Sequence, residues 1–240
     1  MRMKDIQQQL AALGYRPGPI DGVWGRQTQA AVREFQRQHG LTVDGIIGAR
    51  TLAALFPGSG SSTVPSASPS TDLNDPTLVW FQEARRLLGT REKPGVGNNP
   101  LILDWASDLG LKSYKADDIP WCGLFVGHCI STTLDTEPTP TRLLSARAWE
   151  RFGIPTEPTP GAVMVFWRGK PDSGLGHVGF YAGEDPTAYR ILGGNQSDSV
   201  SIAWIAKSRF VNARWPTTVP PRPARQIVVA RTDTLSWNEA

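Results

Sequence analysis

The chain has 240 residues, a formal net charge of +3 and two cysteines. Its charged and hydrophobic fractions, 20% and 40%, are ordinary for a globular protein. The mild positive charge comes without a Lys/Arg cluster or an RNA-binding motif, so we expect no nucleic-acid partner. No apolar run is long enough to span a bilayer, and we expect no membrane insertion. The first residues lack the apolar core of a Sec signal, which predicts a chain made in the cytoplasm without one.

The amino-terminal segment contains an internal repeat. The run from Ile20 to Ala31 recurs from Val43 to Ala54 with an offset of 23 residues. In each copy an Asp-Gly pair marks a turn and a second glycine precedes the next helix. The pattern predicts three helices, at residues 4–13, 26–38 and 49–56.

Together with Leu13-Gly14-Tyr15 and the run Val32–Gln36, this repeat resembles the peptidoglycan-binding three-helix module. The resemblance implies a small all-α domain over residues 1–57 that binds bacterial peptidoglycan. Tyr15 and Trp24 are the candidate glycan contacts, and packing in the core is the alternative for both.

A Pro- and Ser-rich segment, residues 58–74, has the composition of a flexible linker. A second domain is predicted over residues 75–216, with helices at 78–88, 100–109 and 145–152. Residues 217–240 form a tail in which an edge strand at 226–230 is one interpretation and a loose segment the other.

Cys122 stands where another helix begins. Pro120 is favoured at a first helical position, and the apolar run through Ile130 continues the helix. The thiol would then face the unpaired amides and the positive end of the helix dipole, which favour the nucleophilic thiolate. A buried core cysteine is the alternative, and it is the expected role of Cys129, which lies too far along the same helix for a disulfide with Cys122.

Three strands are predicted after this helix, at residues 161–167, 176–182 and 189–193. His177 and Gly179 share one face of the second strand, where the small glycine would leave space beside the imidazole. A turn at 184–187 makes the second and third strands a hairpin, which brings Asn195 close to opposite His177. The Asn195 amide would accept the imidazole N–H and fix its tautomer, and Gln196 is the alternative.

Four segments extend this pattern: Pro120–Val126, Pro160–Val163, Gly176–Phe180 and Gly193–Ser197. They resemble the cell-wall cysteine peptidases and amidases of the NlpC and CHAP type. The resemblance covers about residues 77 to 216 and implies a papain-like α+β fold, in which a helix bearing the cysteine packs on an antiparallel sheet. It implies that Cys122 and His177 act with a polar third residue, for which Asn195 is our choice. Many members carry an acid after the Pro-Gly pair, where this chain has Ala162.

Three further residues are candidates for substrate binding: Trp121, Glu92 and Gln196. Trp121 would form a wall of the cleft, with its backbone N–H and that of Cys122 placed to hold an oxyanion. Glu92 lies near the substrate cleft in the resembling family, and turn formation is the alternative. The scattered histidines form no recognisable zinc-ligand set, so we expect no metal and no cofactor.

These patterns predict a monomeric, endolysin-like enzyme of cell-wall degradation. It would be a thiol peptidase or amidase that cleaves an amide of the peptidoglycan stem or cross-bridge through a Cys122 thioester. A chain without a Sec signal is typical of a phage or prophage lysin, or of an effector delivered by a secretion machine. The alternatives are an acyltransferase, which would use the same Cys-His pair with an amine in place of water, and a non-catalytic wall-binding protein.

Overall fold

The structure is a computed structural model of the full chain, and it describes residues 3–22, 24–41, 43, 45, 47, 49–57, 73, 75–231 and 234–236. The chain divides into two compact units, Met1–Arg86 and Leu87–Ala240. The predicted linker, residues 58–74, lies outside the described residues apart from Leu73. No helix in the described part of the chain combines the length and apolar character needed to cross a membrane.

The first unit is helical. Its helices are α1 (Met3–Ala12), α2 (Arg26–Gln38), α3 (Ala49–Leu55) and α4 (Val79–Arg86). Apolar residues at helical spacing on α1 and α2 face the interior, because one stripe of each amphipathic helix must leave water. The fully buried members of this core include Ile6, Leu10, Val32, Phe35 and Leu55.

The two turns of the repeat are held in the same way. Gly22 and Gly45 have φ of +87° and +72°, a conformation that favours glycine. The Gly22 N–H donates to Oε1 of Gln7 at 2.7 Å, and the Gly45 N–H donates to Oε1 of Gln36 at 2.8 Å. Both glutamines are buried, so the described part of the Asp-Gly motif serves the fold of the unit.

The second unit is α+β. It contains α5 (Pro100–Asp108), α6 (Cys122–Thr133) and two 3₁₀ helices at Ala146–Arg151 and Lys207–Arg209. Its six strands are β1 (Ile154–Thr156), β2 (Val163–Trp167), β3 (Gly176–Glu184), β4 (Ala188–Gly193), β5 (Ser201–Ala206) and β6 (Phe210–Trp215). They form one antiparallel sheet in the order β1-β6-β2-β3-β4-β5.

The sequence pattern predicts the central strands of the sheet and does not predict the outer ones. Helix α5 and strands β2, β3 and β4 lie within about two residues of their predicted positions, and α6 begins at Cys122, so Pro120 precedes the helix and is not its first residue. Residues 145–152 form a 3₁₀ helix, and the sequence does not predict β1, β5 or β6. The missed strands are short or only half-buried, so their apolar pattern is weak. In the tail, Val228 and Leu235 form isolated parallel bridges to Glu184 and Trp204.

Close backbone approaches hold α6 in place above the sheet. α6 packs on β3, and Phe125 meets Phe180 edge-on with ring centroids 6.2 Å apart. A Cβ on Gly123 would lie 2.0 Å from the Leu143 carbonyl oxygen. A Cβ on Gly194 would lie 2.6 Å from Cβ of Phe125. Glycine at these two positions lets the segments around Leu143 and Gly194 pack directly against the first turn of α6.

Candidate active site

Cys122 is the first residue of α6 and is 3% exposed. Its sulfur accepts hydrogen bonds from the backbone N–H groups of Val178 and Gly123. Val178 follows His177 directly on β3. The packing of α6 on β3 therefore brings the sulfur of Cys122 to the strand that carries His177, as the sequence pattern predicted.

His177 is fully buried on β3, opposite Phe166 of β2. Its Nε2 lies 3.1 Å from Oε1 of Gln196. The amide nitrogen of Gln196 donates to the Ser201 carbonyl at 2.6 Å and, more weakly, to the Ile191 carbonyl at 3.4 Å. These acceptors fix the amide so that its oxygen faces the ring, and Nε2 must carry the hydrogen. In the neutral imidazole, Nδ1 is then the basic nitrogen.

The structure corrects the predicted third group: Gln196, and not Asn195, contacts the His177 ring. Asn195 has φ of +56°, so the alternation of a strand no longer holds where the chain leaves β4. The register of β3 and β4 would still place residue 195 opposite His177, so the turn of the backbone at Asn195, and not the strand pairing, moves its side chain away from the ring. The Asn195 side chain lies beside Glu92 and Trp121 instead.

Trp121 is fully buried, which corrects its prediction as a wall of the cleft. Its indole Nε1 donates to Oε1 of Glu92 at 2.7 Å, and its ring lies 6.1 Å from that of Trp105. Its backbone N–H donates to Oδ1 of Asn195 at 3.2 Å in the amide orientation that satisfies both neighbours. That N–H is therefore committed within the protein and does not face an oxyanion.

Gly179 has a different role from the one predicted. A Cβ at this position would lie 2.6 Å from Cγ2 of Ile191 and 2.9 Å from the Leu192 carbonyl oxygen. The glycine therefore makes room for β4 and not for the imidazole of His177.

Glu92 is half-buried and uses one carboxylate oxygen for two donors. Oε1 accepts from the Trp121 indole at 2.7 Å and from Nδ2 of Asn195 at 3.0 Å. Burial raises the pKa of the Glu92 carboxyl, the hydrogen bond from Trp121 opposes that rise, and nearby Asp198 adds to it. The sequence placed Glu92 near the substrate but missed this bridge, because no local pattern links residues so far apart in the chain.

A cavity of about 620 Å³ lies beside Glu92. Its charged lining comprises Arg91, Glu92, Lys93, Asp117, Asp118 and Asp198. Asp117 is buried, and its Oδ2 accepts from the backbone N–H groups of Lys93 at 2.9 Å and Asn99 at 2.7 Å. These bonds hold the glycine-rich loop that forms one side of the cavity.

Burial raises the pKa of the Cys122 thiol. The hydrogen bonds from the Val178 and Gly123 N–H groups and the positive charge of Arg168 act in the opposite direction but are weaker. The helix terminus alone would favour a thiolate, but burial in this closed site acts more strongly and favours the neutral thiol. The sequence also missed Arg168, which follows β2 two residues beyond the partner of His177.

In the first unit the two candidate aromatic residues have different environments. Trp24 is 2% exposed and belongs to the core, which corrects its prediction as a glycan contact. Tyr15 lines a groove of about 370 Å³ together with Arg16, Glu34 and Gln38. Its hydroxyl donates to Oε1 of Gln38 at 3.0 Å, and its ring meets Phe35 edge-on at 5.5 Å. Tyr15 stays the candidate for glycan contact.

Residues 2–55 match the family model described as "Putative peptidoglycan binding domain". The chain is 42% identical over 64 residues to N-acetylmuramoyl-L-alanine amidase CwlM of Mycobacterium tuberculosis, covering 27% of this chain and 15% of the relative. It is 50% identical over 53 residues to a spore cortex-lytic enzyme of Bacillus subtilis, covering 22% and 17%. It is 44% identical over 59 residues to N-acetylmuramoyl-L-alanine amidase CwlL of Bacillus licheniformis, covering 22% and 16%. No solved structure matches the chain significantly.

These similarities identify an amino-terminal peptidoglycan-binding domain, and its helical fold agrees with the first three helices of the structure. The matches to the relatives cover only this domain. The chain spans less than a fifth of the length of each of the three relatives.

Proposed function

We propose that the second unit is a papain-like cysteine peptidase or amidase that cleaves an amide bond in the peptide part of peptidoglycan. One observation carries the proposal: a glutamine-oriented imidazole lies on the strand whose next N–H donates to the sulfur of Cys122. A nucleophile, a base and a group that orients the base are the parts that acyl transfer needs.

The proposed reaction begins with the Cys122 thiol and the His177 imidazole both neutral. The Cys122 sulfur attacks the amide carbonyl carbon while its proton passes to Nδ1 of His177, since Nε2 is bound to Gln196. The C–N bond then breaks, and the imidazolium protonates the leaving amine. Water, deprotonated by His177, attacks the thioester and releases a carboxylic acid and the free thiol.

We assign oxyanion binding to the N–H groups of the first turn of α6. The Cys122 N–H belongs to the same residue as the sulfur, and the Trp121 N–H is excluded because Asn195 accepts it. The positive end of the α6 dipole favours the same charge.

The amino-terminal domain supports the choice of substrate. A domain that binds peptidoglycan raises the local concentration of the catalytic unit at the wall, which increases turnover without any new contact at the active site. The relatives that share this domain are named as cell-wall amidases and cortex-lytic enzymes, and this agrees with a hydrolase acting on the wall.

Digestion of purified sacculi by the full chain tests the proposal, with mass spectrometry of the released fragments. We expect new amine and carboxylic acid ends at one amide position for the wild type and none for Cys122→Ala. Cys129→Ala is the matched control, because Cys129 is buried on the same helix, and it should retain most activity. Fragments that carry a new amide in place of the acid would indicate transfer to an amine, and binding without cleavage would contradict the proposal.

A further inference from the structure

We propose that Glu92 is a positioning residue that fastens the start of the nucleophile helix to the loop that carries Gln196. This inference rests on the proposed roles of Cys122 and His177. We call the three residues Glu92, Trp121 and Asn195 the Glu92 bridge.

The side chain of Glu92 joins Trp121 to Asn195. One of its oxygens accepts from the Trp121 indole at 2.7 Å. In the amide orientation that satisfies both of its neighbours, Asn195 donates to the same oxygen at 3.0 Å and accepts from the Trp121 N–H at 3.2 Å. Each pair within the Glu92 bridge is therefore hydrogen-bonded. Hydrogen bonds to an ionised group are stronger than neutral ones, so the carboxylate is well suited to join the other two residues.

The backbone around Glu92 is hydrogen-bonded to the segment that follows Gln196. Residues 89–92 pair with residues 198–200: the Gly89 N–H donates to the Val200 carbonyl at 2.9 Å, and the Glu92 N–H donates to the Asp198 carbonyl at 2.9 Å. Within the loop, the Gln196 N–H donates to the Ser199 carbonyl at 2.9 Å. The segment that carries Glu92 is thus hydrogen-bonded to the loop that contains Gln196 and stabilises it.

The consequence follows from the positions of the bridged residues in the chain. Trp121 directly precedes Cys122, and Asn195 directly precedes Gln196. The Glu92 bridge therefore sets the distance between the residue that supplies the sulfur and the residue that orients the imidazole. A misplacement of about 1 Å between reacting groups costs roughly 100-fold in rate, so this distance matters for turnover.

The competing interpretation is that the Glu92 carboxylate recognises a cationic amine of the substrate in the adjacent cavity. Two substitutions separate the interpretations. Glu92→Gln removes the charge but keeps an oxygen that can accept both hydrogen bonds, whereas Glu92→Ala removes both. Glu157→Ala is the matched control, because Glu157 is an exposed glutamate of the same unit.

The first measurement is the rate of sacculus cleavage by the full chain, with kcat and KM determined on soluble muropeptides. For positioning we expect Glu92→Ala to lower kcat about 100-fold with little change in KM. Glu92→Gln should restore most of the loss, and Glu157→Ala should match the wild type. A rise in KM that is equal for Glu92→Gln and Glu92→Ala would overturn the inference in favour of charge recognition, and so would full activity of Glu92→Ala.

The second measurement requires no peptidoglycan. The rate at which iodoacetamide alkylates Cys122 depends on the protonation of the thiol beside His177, so its pH profile should shift in Glu92→Ala and return in Glu92→Gln. If the wild type leaves sacculi intact but Glu92→Ala still shifts the pH profile of alkylation, the proposed function is refuted and the positioning role is preserved. A wild type that cleaves sacculi, with variants unchanged in both measurements, would refute the positioning role alone.

Discussion

Oε1 of Gln196 lies 3.1 Å from Nε2 of His177, and the glutamine amide is held in that orientation by the Ser201 carbonyl at 2.6 Å. The contact fixes one tautomer of a fully buried imidazole. It also distinguishes the two ring nitrogens: Nε2 is bound to Gln196, and Nδ1 is the nitrogen that we propose takes the proton of the thiol.

Gln196→Ala should therefore reduce turnover about 100-fold by removing the group that orients the base, yet leave more activity than Cys122→Ala. Nitrogen NMR of ¹⁵N-histidine-labelled protein checks the cause directly. We expect the signal of His177 in the wild type to show a protonated Nε2, and that of Gln196→Ala to show a mixture of tautomers. A wild-type signal from the Nδ1–H tautomer would contradict the assignment.

The sequence was sufficient to place Cys122 and His177, the proposed nucleophile and base, on neighbouring elements, and it was insufficient for the third group. Cys122 and His177 lie within regular elements, α6 and β3, whose periodicity places their side chains. Gln196 lies in a loop where Asn195, Ser197 and Asp198 all have positive φ, and no simple repeat describes such a backbone. The position of the third side chain depends on hydrogen bonds formed only after the loop has folded.

Two tryptophans show a second limit of prediction from the sequence. Trp24 and Trp121 follow turn-like sequence and were predicted at binding surfaces, but both are buried. A tryptophan in a loop can face either water or the core, and the choice depends on which distant elements pack against it. For Trp121 those are Trp105, Gly194 and Glu92, from three separate segments.

Alkylation of Cys122 should be slow at neutral pH and should rise as the pH increases. Burial raises the pKa of this thiol, and only the thiolate reacts readily. Mass spectrometry of peptides after timed treatment with iodoacetamide measures the rate at each site. Cys129, which is fully buried within α6, should be labelled later than Cys122. Rapid labelling of Cys122 at pH 6 would mean that the site holds a thiolate after all.

The free energy of unfolding should fall as the pH rises above about 9. The pKa of Cys122, Tyr114 and Tyr181 is raised in the folded protein above the ordinary values of 9.0 for the thiol and 10.0 for the phenols. The unfolded chain therefore loses these protons first, so stability is full below pH 9 and declines as the pH rises further. Thermal melts between pH 7 and 10.5 measure the decline, which Tyr114→Phe should reduce. A melting temperature that is flat across this range would contradict the sign.

Gly194→Ala should destabilise the second unit by about 1–3 kcal/mol, the usual result of overpacking. The added Cβ would lie 2.6 Å from Cβ of Phe125 and 2.7 Å from a ring carbon of Trp121. Gly127→Ala, on the same helix as Phe125, is the control: its nearest contact would be 3.3 Å, to a flexible leucine end, and alanine favours a helix. Denaturant unfolding compares the two variants. Equal stability of both would show that the loop moves away from α6 at little cost.

Tyr15→Ala should weaken binding to sacculi about fivefold, because an aromatic contact is worth roughly 1 kcal/mol beyond its buried area. The measurement is co-sedimentation with purified sacculi, with every variant made in the Cys122→Ala background so that the substrate is not digested. Ile20→Ala is the control, since Ile20 is 44% exposed and lies outside the groove of Tyr15. Trp24→Phe should lower the melting temperature of the first unit and leave its affinity unchanged, as expected for a core residue. Normal binding by Tyr15→Ala together with loss of binding by a folded Trp24→Phe would reverse the two assignments.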